Sequence, residues 1–289
     1  MKYNLIFNLF KCYLPIINIL SMTSIILKKD TIQRIIKDVK DIITDPLYEN
    51  GIYYEHDDED MLKGYAMLIG QQNTQYEHGM FFFEFIFPIN YPYSPPKLNF
   101  ITNNSATRFN PNLYRDGKVC LSVLNTWRGE SWSSCQSIRS VLNILQTVLN
   151  DKPLLNEPGI KETHSDFNKY NSIIQYESYN HCLYKQLNYN KPKYMFDKFG
   201  DIVMYYFLIN YKTILKSIDN EHLNIKSTYK YPPSPRVINT GIYTMKCKLD
   251  YSTLINNIKN LYIKLNTKKN IELFNNTDKY RAMFKDIKL

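Results

Sequence analysis

The clearest periodicity in the chain begins at Asp30, where Ile32, Ile35, Ile36, Val39, Ile42 and Ile43 recur at helical spacing and share one face. Asp30 or Thr31 is placed to cap that helix, and Arg34, Lys37 and Lys40 stand on its opposite face. The period then changes. Tyr65 to Ile69 and Met80 to Phe87 read as strands, the second aromatic on both faces and therefore central in a sheet. The acidic loop His56 to Asp60 reads as exposed. Tyr91-Pro92 and Pro95-Pro96 disfavour helix and hold an extended turn ahead of a strand from Lys97 to Ile101. Ser133 or Ser134 then caps a helix that buries Ile138, Val141, Leu142, Leu145, Val148 and Leu149 and ends before Pro153. The pattern is an antiparallel meander with helices before and after it, an α+β class.

The flanks are less regular. Glu162 to Leu187 is helical in character with many polar and Tyr residues. Ile202 to Ile209 reads as a short buried helix or strand beyond Gly200, YPPSP (Tyr231 to Pro235) as a hinge-like break, and Leu254 to Leu265 as amphipathic. No internal repeat is visible. Residues 1–27 are apolar, but Asn8, Lys11, Pro15 and Asn18 interrupt them short of the ~20 continuous apolar residues that a membrane span needs. A start of translation at Met22 is the plainer reading, with membrane association through this segment the minor one.

Composition narrows the classes. Over 289 residues, 44% apolar and 22% charged content suits a folded protein with one sizeable core plus extra elements, or two domains. The net charge of +9 is uneven: residues 1–199 hold 21 basic and 20 acidic residues, against 15 and 7 in residues 200–289. A basic tail of this kind suits nucleic acid, an acidic protein face or an anionic lipid surface. Its basic residues are interleaved with Asn and Tyr and form no dense run, so a solvated basic surface is the simpler reading and no nucleic-acid partner is expected. Cys12, Cys120, Cys135, Cys182 and Cys247 are odd in number, irregular in spacing and lack a C-x-x-C pair. That argues against disulfides and a metal site, and for a reducing compartment.

Candidate chemistry centres on RFNPNLYRDGKVCLSVL, Arg108 to Leu124, where a turn-prone run delivers the apolar Val119-Cys120-Leu121. Taken alone, Cys120 reads as a small buried hydrophobe. Its surroundings change that. Asn112 lies eight residues earlier, YPYSPP (Tyr91 to Pro96) upstream, and Trp127, Trp132 and NEPG (Asn156 to Gly159) downstream. Together these resemble the ubiquitin-conjugating enzymes, whose pattern is Tyr-Pro-x-x-Pro-Pro, a His-Pro-Asn triplet, a cysteine eight residues beyond that Asn, a Trp, a helix and an acidic loop. Here the triplet is Asn110-Pro111-Asn112, as in the larger, divergent branch of the family. The similarity covers roughly Lys28 to Asn180, and more faintly reaches Leu265.

The resemblance implies the UBC fold, a four-stranded antiparallel meander with an N-terminal helix and C-terminal helices. It implies a core over residues 28–190 and a basic, largely helical extension over 191–289 that packs on it. It makes Cys120 the acyl carrier that takes a modifier as a thioester. Asn112 then stabilises the oxyanion or shapes the nearby loop, and Glu157 orients an incoming lysine and draws off its proton. Read from the residues alone, Asn112 is equally a turn residue and Glu157 an acid in solvent. Asn110 replaces a His considered structural, and Ser122 stands where many members carry Asp. Arg34 and Lys37 fall on the face that meets activating enzyme and ligases, though they are otherwise plain solvated charges. Tyr93 and Ser134 fall at ligase-contact positions, Ser134 in place of a common Pro. The implied partners are ubiquitin or a ubiquitin-like modifier, its activating enzyme, a ligase and substrate lysines, in cytoplasm or nucleus, with no metal or other cofactor. A catalytically inactive relative that binds ubiquitin or scaffolds a ligase is the alternative. A cysteine hydrolase would need one of His56, His78, His164, His181 or His222 beside Cys120.

Overall fold

The computed structural model describes residues 27–188, 193–228 and 235–275, with Tyr280, Met283 and Phe284. The apolar segment 1–27, Leu27 excepted, and Tyr231 to Ser234 of the hinge-like break lie outside the described residues.

Helix α1 (Lys29–Thr44) buries Ile35, Val39 and Ile42, as the period requires. Its start differs from expectation. Lys28 holds the N-cap position without a side-chain bond, and Thr31 is buried in the first turn, where its hydroxyl donates to the Ile89 carbonyl at 3.0 Å. Strands β1 (Ile52–His56), β2 (Lys63–Ile69), β3 (Met80–Ile86) and β4 (Lys97–Phe100) then form one antiparallel meander in sequence order. The register pairs Ile52 with Leu68, Ile69 with Met80 and Phe83 with Phe100. β3 is interior, flanked by β2 and β4, and covered on both faces, which is why its run of Phe81, Phe82, Phe83 and Phe85 does not alternate with polar residues. Its one acid, Glu84, accepts from Asn99 across the strand pair at 2.9 Å.

Helix α2 (Ile138–Val148) buries every position expected of it, but its cap is Ser137, whose side chain accepts from the Ser140 amide in a capping box. Ser133 and Ser134 belong instead to a loop that is tied elsewhere: Trp132 Nε1 donates to the Pro92 carbonyl at 2.6 Å, and Arg34 on α1 donates to the Ser134 and Gln136 carbonyls. The helical reading of Glu162 to Leu187 resolves into α3 (Phe167–Glu177), a π-helical stretch (Ser178–Tyr184) and the short α4 (Lys185–Asn188).

In the extension, Ile202 to Ile209 is neither a short helix nor a strand. It lies inside α5 (Lys193–Thr228), 36 residues that run straight through Gly200. A glycine inside a helix costs about 1 kcal/mol, which burial of Phe199, Ile202, Val203 and Phe207 outweighs. A two-stranded antiparallel hairpin, β5 (Arg236–Asn239) and β6 (Lys246–Leu249), is an element the sequence pattern did not announce. Helices α6 (Tyr251–Leu265) and α7 (Lys268–Asn275) follow, and α6 packs on α5 with Tyr211 and Tyr262 stacked at 3.8 Å. Elements beyond residue 193 pack on the sheet. Phe199 meets Phe82 at 6.0 Å, Phe284 meets Tyr53 at 5.9 Å, and the hydroxyl of Tyr206 lies 2.7 Å from Nδ1 of the buried His78. Among the described residues no helix is long and apolar enough to cross a membrane.

Candidate active site

After β4 the chain folds into a small surface hairpin over 113–119, with Leu113 bridged to Val119 and Lys118 bridged to Asn99 of β4. Gly117 turns it at φ +90°, and its carbonyl accepts from the Phe100 amide at 2.7 Å. A Cβ there would stand 3.0 Å from the Phe100 carbonyl oxygen, so the turn has both a conformational and a steric demand for glycine.

The hairpin brings Asn112 and Cys120 face to face. The Cys120 amide donates to the Asn112 carbonyl at 2.9 Å, and Asn112 Nδ2 donates to the Cys120 carbonyl at 2.7 Å. An eight-residue spacing thus becomes a direct contact. A primary amide has two N–H bonds, so holding the Cys120 carbonyl leaves Asn112 a second donor for charge that develops near the thiol. Cys120 itself is 2% exposed. Thr126 secures the segment just past it, accepting from the Leu121 amide at 2.9 Å and donating back to the Val119 and Leu121 carbonyls. Ser122 opens the short helical turn Ser122–Leu124 that follows.

Asn110 is the fully buried hub of the loop. Its Nδ2 donates to the Tyr76 hydroxyl at 2.7 Å and the Val148 carbonyl at 2.9 Å, while its Oδ1 accepts from the Asn112 amide at 3.0 Å and Asn156 Nδ2 at 3.2 Å. Through Asn156 it also ties the cysteine loop to the turn Pro153–Asn156, beyond which Glu157 projects. Among the described residues no hydrogen bond joins Glu157 to Asn112 or Cys120. Its Oε2 accepts a short hydrogen bond from the hydroxyl of Tyr243, which sits on the turn between β5 and β6. Burial first, then the Glu157 carboxylate, pushes the Tyr243 phenol well above its ordinary range, so it stays a neutral donor.

Tyr243, Arg108 and Arg115 were not singled out by the sequence pattern, yet they frame the site. Arg108 donates to the Asn110 and Pro111 carbonyls at 3.1 and 2.6 Å and lays its guanidinium 3.2 Å from the ring centre of Tyr114 and 5.2 Å from that of Tyr243. Arg115, inside the cysteine hairpin, donates to the Tyr243 carbonyl at 2.6 Å. These groups line an open cleft with Asp116 and Thr244.

Of the four expected contact residues, the structure joins Arg34 and Ser134. Arg34 is half-buried: it pairs with Asp38 at 2.8 Å and holds the Ser134 carbonyl, so these two positions are joined directly. Lys37 is exposed one turn along α1, and Tyr93 is 67% exposed beside Pro92, the residue that Trp132 anchors. The histidines are engaged elsewhere. His56 lies between Tyr54 and the Met61 carbonyl, His78 against Tyr206, His164 at the Asp166 amide, His181 on the Phe109 ring and His222 on that of Tyr251. Among the described residues no three His, Cys, Asp or Glu side chains are grouped to hold a metal ion.

Comparison with known proteins points the same way. The chain matches the family model for ubiquitin-conjugating enzyme over residues 34–178. It is 43% identical over 148 residues to ubiquitin-conjugating enzyme E2 Z of Xenopus tropicalis, covering 50% of this chain and 47% of that one. The Homo sapiens protein of the same name is 43% identical over 50% of this chain and 41% of its own. The probable ubiquitin-conjugating enzyme protein 17 of Caenorhabditis elegans is 36% identical over 66% of this chain and 28% of its own length. The match thus spans less than half the length of these relatives. With half the chain covered by one family model, and a meander, a cysteine hairpin and an acidic turn in that order, the chain belongs to the ubiquitin-conjugating enzyme family.

Proposed function

We propose that the chain accepts ubiquitin or a ubiquitin-like modifier from an activating enzyme as a thioester on Cys120 and passes it to a substrate lysine, with a ligase directing the choice. The observation that carries this reading is the mutual pairing of Asn112 and Cys120, which puts an amide donor beside the one cysteine of the hairpin. In the first step the Cys120 thiolate attacks the thioester carbonyl carbon of the charged activating enzyme, whose own thiolate leaves. In the second, the neutral amine of a lysine attacks the new thioester, the Cys120 thiolate departs, and Glu157 takes the proton lost from nitrogen. Asn112 stabilises the oxyanion between; removing such a donor costs about 10²–10³ in rate. Arg34 acts by holding the loop of Ser134, and Lys37 and Tyr93 supply the exposed part of the face for activating enzyme and ligase. We assign residues 28–190 to the core, residues 191–289 to an extension that packs on it, and the protein to the reducing cytoplasm or nucleus. The near-complete burial of Cys120 is what favours the alternative, an inactive ubiquitin-binding or ligase-scaffolding variant.

A charging assay separates the two. Purified protein, activating enzyme, ATP and ubiquitin are run on non-reducing gels with and without thiol, beside Cys120→Ser and Cys120→Ala. A thiol-sensitive adduct is expected, thiol-resistant in Cys120→Ser and absent in Cys120→Ala. No adduct with any modifier, using activating enzymes proven on another acceptor, gives the scaffolding reading instead.

A further inference from the structure

We propose that Tyr243, in the extension, is the positioning residue that aims the Glu157 carboxylate at the amine entering towards Cys120; this rests on the reading of Glu157 as the group that takes the lysine proton. An acid on a surface turn has several rotamers and no reason to favour one. Here Oε2 is held by the Tyr243 hydroxyl, a charge-assisted bond, while Oε1 has no hydrogen-bond partner among the described residues. One oxygen fixes the side chain and the other remains to receive a proton.

The turn that carries Tyr243 is itself braced. The Asp166 carboxylate accepts from the Gly241 and Ile242 amides at 2.8 and 2.9 Å, which, with Lys169 beside it, holds its carboxyl below the usual carboxylate range. The Arg108 amide meets Met245 Sδ at 3.3 Å, and the Tyr170 ring lies 6.1 Å from that of Tyr243. Tyr243 and Thr244 both adopt left-handed backbone, at φ +56° and +45°, a conformation that non-glycine residues hold only when their surroundings impose it. The imposed geometry sends the Tyr243 carbonyl to Arg115 and its hydroxyl to Glu157, so one residue spans the cysteine hairpin and the acidic turn.

The test is single-turnover discharge of the full-length chain, charged on Cys120, with the activating enzyme then stopped and free lysine or a small thiol added over a concentration series. Tyr243→Phe keeps the ring against Arg108 and Tyr170 and removes only the hydroxyl; Glu157→Ala and the double variant complete a cycle. The maximal rate of discharge to lysine is expected to fall about tenfold in Tyr243→Phe, with little further fall when Tyr243→Phe is added to Glu157→Ala. Discharge to the thiol needs no amine proton removed and is expected to keep its rate. Equal slowing towards lysine and thiol, or independent effects in the double variant, would make Tyr243 a mere strut and overturn the proposal. Failure of the unsubstituted chain to form a thioester is a different signature and removes the reading of Cys120 on which the proposal stands.

Discussion

Replacing Asn110 by Ala tests whether the cysteine loop is held by the network rather than by its turn residues. The side chain is fully buried and makes four hydrogen bonds, but their loss is unequal. The Val148 carbonyl keeps its bond from Asn156 Nδ2 at 3.1 Å, which also keeps Asn156 satisfied, and the Tyr76 hydroxyl still donates to the Phe109 carbonyl at 2.8 Å. Only the Asn112 amide is orphaned, a cost of about 1–3 kcal/mol. Deleting the amide group from a site with no solvent adds roughly 1 kcal/mol for the cavity. The expected destabilisation is therefore about 2–4 kcal/mol in urea unfolding, read as a shift in midpoint at constant slope. Asn110→His, the family's usual residue, keeps one ring donor and one ring acceptor and is expected to cost less than half as much. A loss below about 1 kcal/mol in Asn110→Ala would refute the reasoning, because a buried hub cannot be removed so cheaply.

Burial depresses the His78 imidazole to about 4 from an ordinary 6.5, against the pull of the Glu77 carboxylate, whose Oε1 lies 3.4 Å from Nε2. The unfolded chain thus takes up a proton that the fold refuses, and stability present above pH 6.5 is lost as pH falls towards 4. At pH 5 the loss is about 2 kcal/mol, and urea titrations of His78→Gln at pH 7.5 and 5 should lack that increment. Arg34→Ala leaves the buried Asp38 carboxylate with only Tyr91 and the Ile138 amide and frees two carbonyls of the loop before α2. It is expected to cost about 2–3 kcal/mol in the same assay, and Arg34→Lys should restore little, since one ammonium cannot reach all three acceptors. On timed treatment with iodoacetamide followed by peptide mapping, the exposed Cys135 should react at least about tenfold faster than Cys120, and equal rates would show the thiol to be open at rest.

The parts legible in the sequence are those whose signal is local and repeated. The aromatic run of β3 and the five buried apolar positions of α2 each announced their burial several times over. The Asn112 to Cys120 spacing was legible only through its resemblance to the family pattern; in the structure a glycine turn between them brings residues eight apart together. Helix caps were not legible: three serines precede α2 within five residues, and the capping box with Ser140 falls to Ser137 while Arg34 holds the Ser134 and Gln136 carbonyls. Arg34 carried an unused signal, since Asp38 four residues on invites a pair along the helix. The β5–β6 hairpin has four-residue strands with one or two buried positions each, too few to show a period. Tyr243 had no local signal, because its role is set by Arg115 and Glu157, 128 and 86 residues away.

The burial of Cys120 has a physical meaning different from that of Cys182, although both are nearly inaccessible. Cys182 lies in the π-helical stretch between α3 and α4, inside the common core, and exposing it means unpacking that core. Cys120 lies at the end of a surface hairpin whose Asp116 and Lys118 are already in water. An opening of the hairpin that released the two bonds of the Cys120 backbone with Asn112 and the hold of Thr126 would cost roughly 1 kcal/mol for each. An opening of about 2–3 kcal/mol lowers the reactive population by a factor of about 30 to 150, which a partner that binds the open hairpin can repay. On the proposed reading, a thiol closed in this way would be silent in the free protein and available in a complex, which the comparison of Cys120 with Cys135 tests. The bonds recorded on the Cys120 backbone run to Asn112, while its neighbours Val119 and Leu121, which Thr126 holds, belong to the core.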